Sequence, residues 1–172
     1  AGAFHRELVE RAVRELGVPK ERIIGTAPEA LASTVRAFVA LAVDGSVNGI
    51  ALSLLGIPPA QLVLAWEGAS ISGAAATRVL DEPARRRLSE RAARAWPPGP
   101  HALATAASVA VGAYLNDTAR LMTCFVGPDD SSGTRTRAAA LPTRLGGSGV
   151  HVEDLGSLSP RERTAVDSAL LL

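Results

Sequence analysis

The sequence has 172 residues, of which 47% are hydrophobic and 20% are charged, and its formal net charge is +1. This composition predicts one folded domain or slightly more, and it excludes an intrinsically disordered chain. A net charge so close to zero gives no reason to expect nucleic acid as a partner. The single cysteine, Cys124, excludes an internal disulfide framework. Because it lies in an apolar run, we expect a buried and unreactive thiol.

Membrane insertion and secretion are not indicated by the sequence. No stretch reaches the roughly 18 apolar residues that a membrane-spanning helix needs. The N-terminal residues have no signal-peptide layout. We therefore expect no membrane partner and a cytoplasmic location.

The first elements along the chain are a helix and a short strand. Residues 4–16 have the spacing of an amphipathic helix, with Leu8 and Leu16 on the face expected to be buried, and Gly17 ends it. Residues 23–25 predict the strand. A helix that feeds a strand closes a β-α-β unit, and the strand that should precede it is not in the sequence. The chain therefore begins as if inside a larger α/β domain.

A second helix and a strand pair follow. Thr26 and Glu29 have capping-box spacing, and the helix that they open is expected to run to about residue 43. Two apolar runs, at 50–54 and 62–66, predict strands. The short loop between them contains Pro58, whose neighbour is also a proline, so the loop is expected to be stiff.

Two helices of contrasting composition come next. The helix predicted at about 84–95 carries five arginines, and we expect a solvated face because no aromatic residues interleave with them. The helix predicted at 101–115 is rich in small residues and poor in charges. We expect that helix to be buried, and its small side chains permit close approach to another helix, including one of a second subunit.

Three strands and a last helix complete the chain. Strands are predicted at 120–126, 137–145 and 150–152. Ser159 and Glu162 have the spacing of a second capping box, with a proline at the first helical position. This signal predicts the start of the C-terminal helix.

The order of these elements, together with four sequence segments, resembles the lactate/malate dehydrogenase family. The segments are Leu16–Gly25, Ala140–Gly146, Gly149–Val150 and Leu158–Glu162. The resemblance covers nearly the whole chain but only the second half of the family's proteins.

The resemblance implies a fold and a domain division. The implied fold is α+β, with antiparallel strands packed against helices as in the C-terminal catalytic domain of the family, preceded by the last helix and strand of a Rossmann domain. Residues 1–25 would be the end of a truncated nucleotide-binding domain. Residues 26–172 would be the C-terminal domain.

The family's chemistry implies NAD on a glycine-rich turn, a histidine as general acid and base, an aspartate that orients it, and arginines that hold substrate carboxylates. The chain has no such turn, so we expect no cofactor within it, and NAD only if an upstream domain exists. The family motif Gly-x-His-Gly falls on residues 56–59, which places Pro58 where the histidine would be. The standard general base is therefore missing.

The expected substrate-binding residues are Arg36 and His101. The register of the family's Asp-x-x-Arg pair is ambiguous, and the placement that keeps the arginine puts Ser33 at the aspartate and Arg36 at the arginine. His101 falls at a substrate-proximal position. Each has a structural alternative, because an arginine can pack its stem with its head in solvent and a histidine can sit at a helix start. No catalytic residue and no metal ligand is predicted.

Three functions stay open on the sequence alone. The first is a catalytically degenerate domain, a pseudoenzyme of the 2-hydroxy acid oxidoreductase lineage, kept for assembly or for a small carboxylate ligand. The second is an active NAD-dependent oxidoreductase of divergent chemistry, joined to an upstream Rossmann domain. The third is a structural or assembly subunit. By resemblance, a homo-oligomer, either a dimer or a tetramer, is expected.

Overall fold

The computed structural model of the chain describes residues 4–129 and 137–171. Within these ranges the chain forms six α-helices and nine β-strands. The helices are α1 (His5–Glu15), α2 (Ala27–Ala42), α3 (Ala76–Val79), α4 (Glu82–Arg94), α5 (Pro100–Leu115) and α6 (Pro160–Leu171). The strands are β1 (Ile24–Gly25), β2 (Ile50–Ala51), β3 (Leu54–Ile57), β4 (Gln61–Leu64), β5 (Ser70–Ile71), β6 (Ala74–Ala75), β7 (Arg120–Val126), β8 (Ala139–Gly146) and β9 (Gly149–Val152).

The strands form two antiparallel sheets. The larger sheet has the order β1-β7-β8-β3-β4, and β9 also pairs with β8. Its longest pairing joins β7 to β8, in register from Arg120 opposite Leu145 to Val126 opposite Ala139. The smaller sheet consists of β2, β5 and β6. The predicted α+β architecture, with antiparallel strands packed against helices, is confirmed.

Helices cover both faces of the larger sheet. Successive side chains of a strand point to opposite faces, so Leu54 and Leu55 of β3 enter different clusters. Leu54 packs with Val35 of α2 and with Phe125 in the main core. Leu55 packs with Val166 of α6 in a separate cluster. The apolar run of β3 is therefore buried on both sides, as its composition predicts.

One carboxylate fixes α6 to the sheet. Oε2 of Glu162 accepts a hydrogen bond from the backbone N–H of Ser159 at 2.7 Å, and the hydroxyl of Ser159 accepts one from the N–H of Glu162 at 3.3 Å. Oε1 accepts from the N–H of Trp66, just beyond β4, at 2.7 Å. The capping box predicted at this helix is confirmed, and its glutamate also anchors the helix to the sheet.

The buried face of α1 is shifted from the predicted one: Ala12 and Val13 are half-buried, but Leu8 and Leu16 of the predicted face are exposed. Val9 is 5% exposed, whereas Leu8 is 55% and Leu16 is 63% exposed. Val9 faces Gly25, where an added Cβ would lie 2.9 Å from a methyl group of the valine. Strand β1 pairs with β7, so the first 25 residues share the larger sheet with the rest of the chain. The domain boundary after residue 25 stays a prediction.

Within the single chain, helix α5 is buried along one face only, and its burial against a second subunit stays a prediction. Ala106, Ala110 and Ala113 are buried, but Val111 is 57% and Leu115 is 73% exposed. None of the 16 residues of α5 is Asp, Glu, Lys or Arg. Its exposed face is therefore uncharged. None of the helices in the described ranges is both long enough and apolar enough to cross a membrane.

The loop that contains Pro58 is shorter than predicted, because β3 continues to Ile57 and β4 begins at Gln61. The predicted strand bounds of 50–54 and 62–66 are wrong in detail, since Ile50 belongs to the smaller sheet. Gly56 lies inside β3 with φ +87°, and an added Cβ would collide with the carbonyl oxygen of Gln61. Only glycine fits that position.

Candidate functional site

Pro58 follows β3 directly, at the position where the resemblance places the family's general base. The residue is buried, and the peptide bond between Pro58 and Pro59 is cis. A pyrrolidine side chain has no titratable group and no hydrogen-bond donor. This position therefore has no side chain that could accept or return a substrate proton.

Arg36 lies on α2, and its contacts are within that helix. Its Nη2 donates to Oε1 of Glu29 at 2.6 Å and to the hydroxyl oxygen of Ser33 at 3.1 Å. The arginine side chain is 24% exposed and the glutamate side chain 13%. Residues seven apart lie two turns away on the same helix face, which allows the pairing. Nε and Nη1 of Arg36 have no hydrogen-bond partner among the described residues.

Glu29 connects this pair to the sheet. Its second oxygen, Oε2, accepts a hydrogen bond from the backbone N–H of Thr123 at 2.7 Å. Strand β1 ends at Gly25, opposite Phe125, so no strand lies beside Thr123 on that side of β7. The carboxylate takes the place of the missing strand as acceptor for a buried N–H. Helix α2 and β7 are thereby joined through one side chain.

The sequence analysis missed the role of Glu29 and assigned it to a capping box. The hydroxyl of Thr26 makes no capping hydrogen bond, so that prediction is wrong. Ser33, predicted at the aspartate position, contacts Arg36 but carries no charge. The carboxylate that pairs with Arg36 is seven residues before it. The signal that could have identified this carboxylate is a glutamate in the first turn of a helix that follows a strand.

Arg36 and Glu29 line two concavities. One, of about 290 Å³, lies between α2 and the larger sheet and is also lined by Thr123 and Pro142. The other, of about 440 Å³, is a groove between α2 and α5 that is also lined by Arg120. Both have volumes that suit a small ligand.

His101 is the second residue of α5 and is exposed. The next residue, Ala102, lines the groove between α2 and α5, but neither concavity of Arg36 is lined by His101 or by Pro58. The structure therefore does not bring the two predicted substrate-binding residues and the loop of Pro58 into one of these cavities.

The other two histidines lie on different elements. His5 is in the first turn of α1, where burial lowers its pKa and leaves its Nδ1 without a hydrogen-bond partner. His151 is on β9, and its Nε2 lies 3.0 Å from the hydroxyl of Ser148. Neither lines the concavities of Arg36. No histidine of the described ranges is thus paired with the acid on α2.

The described residues offer no glycine-rich turn of the kind that binds a nicotinamide cofactor. Such a cofactor binds where a glycine-rich turn leads from a strand into a helix. The glycine cluster at 146–149 instead forms the hairpin turn between β8 and β9, with Gly146 opposite Gly149. We therefore assign no reaction step to the cofactor. Among the residues that the structure describes, no group of three or more His, Cys, Asp or Glu side chains could hold a metal ion.

Comparisons with known proteins give matches at the level of structure only. No family model matches the sequence, and no curated protein matches it significantly. The malate dehydrogenase of Aeropyrum pernix superposes with a TM-score of 0.88 at 16% identity, over 96% of this chain and 56% of that one. The malate dehydrogenase of Salinibacter ruber gives 0.86 at 22% identity, over 95% and 56%. The minor L-lactate dehydrogenase of Enterococcus mundtii gives 0.85 at 18% identity, over 95% and 57%.

These likenesses establish the fold in two steps. The chain is an α+β domain with an antiparallel sheet covered by helices on both faces. Within that class, it has the fold of the C-terminal domain of malate and lactate dehydrogenases, as the sequence segments predict. The chain spans little more than half the length of the solved structures that it matches.

Proposed function

We propose that this chain is a lactate/malate dehydrogenase-like domain that no longer transfers a proton by the route of that lineage. The observation that carries the proposal is Pro58, a buried proline where the general base would be. Removing a general acid or base slows a reaction by about 10²–10⁴-fold. The side chain that would transfer the proton in the 2-hydroxy acid chemistry of the lineage is therefore missing at this position.

The acid on α2 supports the same proposal. Glu29 uses one oxygen for Arg36 and the other for the backbone N–H of Thr123. A carboxylate that orients a catalytic imidazole must lie within hydrogen-bond reach of it, and no described histidine is paired with Glu29. Glu29 instead serves the packing of α2 against β7. We infer that Glu29 serves stability, while Ser33, at the aspartate position by resemblance, carries no charge.

The activity test uses the chain with whatever sequence its gene places upstream, so that a nucleotide-binding domain is included if one exists. NAD and NADP reduction is followed with L-lactate, L-malate and other 2-hydroxy acids. We expect no reduction above the enzyme-free rate. The alternative, an active oxidoreductase of divergent chemistry, would instead be established if the chain reduced the cofactor and if Arg36→Met or His101→Ala abolished that reduction.

We infer that the retained role is assembly as a homo-oligomer through the exposed face of α5. The supporting observation is a 16-residue helix without charges whose side chains Val111 and Leu115 are more than half exposed. Uncharged faces of this kind are typical of protein interfaces, because burying them desolvates no charge. A two-fold contact would place the same face on both subunits.

The assembly test is sedimentation velocity at micromolar concentration. We expect the wild-type chain to sediment as a dimer or tetramer and Val111→Glu to sediment as a monomer. Leu41→Glu is the matched control, because Leu41 is 75% exposed on α2 and outside this face. A monomeric wild-type chain would contradict the assembly role without affecting the proposal for Pro58.

A small carboxylate bound at Arg36 is the second candidate, favoured by the Nε and Nη1 donors that face no described partner. Calorimetric titration with L-malate tests it. The proposed ligand site would be supported if Arg36→Met abolished malate binding and Arg11→Met did not. Arg11 serves as the control because it is an exposed arginine of α1 that pairs with Glu15. Equal binding by both variants would refute it.

A further inference from the structure

Positive charge is concentrated around α4, where the net charge per residue far exceeds that of the whole chain. Residues 78–94 contain six arginines and three acidic residues, a net charge of +3, whereas the whole chain carries +1. The helix is well defined at its start, where Oδ1 of Asp81 accepts from the N–H of Ala84 at 2.7 Å. The arginines therefore project from a rigid element rather than from a loop.

Three of these arginines line one concavity. Arg87, Arg91 and Arg94 have the i, i+4, i+7 spacing that places side chains on one helix face. With Leu80 and with Ala42 at the end of α2, they line a depression of about 710 Å³. Its volume lies in the range of ligand sites.

Arg91 is held in place by an aromatic ring. Its guanidinium carbon lies 4.0 Å from the ring centroid of Phe38, on α2. Stacking fixes the plane of the guanidinium and leaves the N–H groups at its edge free to donate. An arginine oriented in this way loses less freedom when it binds an anion.

Acidic neighbours do not cancel this charge. Glu90 also lines the concavity, lies 3.3 Å from Arg86 and 4.0 Å from Arg94, and its side chain is 54% exposed. Exposed pairs of this kind are weak and exchange readily with other ions. Three arginines against one glutamate leave a charge of +2. The other four concavities described carry between −1 and +1.

We propose that this concavity binds a small polyanion that carries at least two phosphate or carboxylate groups. Guanidinium groups hold such groups through paired, charge-assisted hydrogen bonds. Three arginines on successive turns match an anion with charges several ångströms apart. The proposal does not depend on any dehydrogenase chemistry.

The alternative hypothesis is that the same arginines have only a structural role. Cations near the end of α2 would offset the partial negative charge of its last carbonyl groups. In that case the arginines stabilise the fold but bind no ligand.

The test is calorimetric titration of the chain with inorganic pyrophosphate and, separately, with citrate at about 50 mM salt, where surface charges are weakly screened. The double variant Arg87→Gln/Arg94→Gln removes two donors of the concavity. Arg86→Gln is the matched control, since Arg86 is on the same helix, is 82% exposed and does not line the concavity. Circular dichroism checks that both variants fold.

We expect the wild-type chain to bind the anion. The double variant should bind it about tenfold or more weakly, and the affinity of the control should change less than about twofold. Tighter binding of pyrophosphate than of citrate assigns the site to phosphates, and the reverse order assigns it to carboxylates. Equal weakening by the double variant and the control would overturn the proposal, because it would indicate non-specific attraction. Absence of binding to the wild-type chain, with a lower melting temperature in the double variant, would overturn it in favour of the structural role.

Discussion

Replacing Glu29 tests whether the acid of α2 is now a structural residue. Glu29→Ala removes the acceptor of the N–H of Thr123, which is 5% exposed and has no strand beside it on that side. A buried donor left without a partner costs about 1–3 kcal/mol. Arg36 also loses its counter-ion, but it is 24% exposed, so water screens the loss to at most about 1 kcal/mol. The free energy of unfolding should fall by about 1–4 kcal/mol.

The matched isostere separates hydrogen bonding from charge. Glu29→Gln keeps a carbonyl oxygen that can accept from Thr123 and loses the charge that attracts Arg36. We expect a loss of about 1–2 kcal/mol, because hydrogen bonds to charged groups are worth roughly twice neutral ones. A double-mutant cycle with Arg36→Met measures the coupling between the two side chains.

Urea unfolding, followed by circular dichroism, is the assay. Glu15→Ala is the control, since its exposed pair with Arg11 should contribute no more than about 0.5 kcal/mol. If Glu29→Ala destabilised the chain no more than Glu15→Ala does, the carboxylate would not be holding α2 to β7. The case against Glu29 as an orienting acid would then fail as well.

Three further substitutions or measurements test the packing. Gly56→Ala should lower the free energy of unfolding in urea by at least about 2 kcal/mol, because φ is +87° and the new Cβ would meet a backbone oxygen of β4. Gly112→Ala is the control and should be neutral or stabilising, because Gly112 lies inside α5 with open space around it. Glu162→Ala should lower the unfolding free energy by about 1–2 kcal/mol, because it removes the reciprocal bond of a capping box and one of the two acceptors of the N–H of Trp66, which also donates to the carbonyl oxygen of Leu64; fluorescence-monitored unfolding measures it. Burial raises the pKa of Cys124 from 9.0 to about 11, so a disulfide reagent at pH 8 should label the native thiol far more slowly than the unfolded one. Because the unfolded thiol loses its proton first, the stability that this group contributes is complete below pH 9 and falls as the pH rises towards 11.

Local signals in the sequence predicted the fold well. The capping box of Ser159 and Glu162 is satisfied within four residues of chain, so its outcome depends little on the rest of the molecule. Strand β7 coincides with its predicted range, 120–126, because its apolar run is buried along most of its length. The order of such elements was enough to suggest the fold that the structural comparisons confirm.

The errors arise where a long-range contact decides the outcome. Thr26 and Glu29 have the same spacing as the true capping box, yet the glutamate binds an N–H 94 residues away. Apolar residues occur on more than one face of α1, and only the position of the sheet determines that Val9 rather than Leu8 is buried. Composition likewise shows that α5 has no charges but not which of its faces is covered.

The candidate site shows the same division. The place of Pro58 in the loop after β3 could be predicted from the sequence, because its motif lies between two apolar runs that indicate strands, whereas its correspondence to the family's histidine stays a prediction. The ion pair of Arg36 with Glu29 could not be predicted, since the two residues are seven apart and Glu29 is fixed by its hydrogen bond to the distant N–H of Thr123. The arginine-rich helix could be found in the sequence, but the concavity between α4 and α2 depends on how the two helices pack.

The proposed loss of the standard mechanism would involve more than one residue, and this argues against a simple reversal by Pro58→His. An imidazole acts as a general base when a carboxylate orients it and when the substrate is held beside it. Glu29 already has both oxygens in hydrogen bonds, one of them to the buried backbone of β7. Releasing it for an imidazole would orphan the N–H of Thr123, at the cost in stability estimated for Glu29→Ala. Pro58→His alone would therefore lack an orienting acid, because Ser33 at the aspartate position by resemblance carries no charge and Glu29 holds α2 to β7.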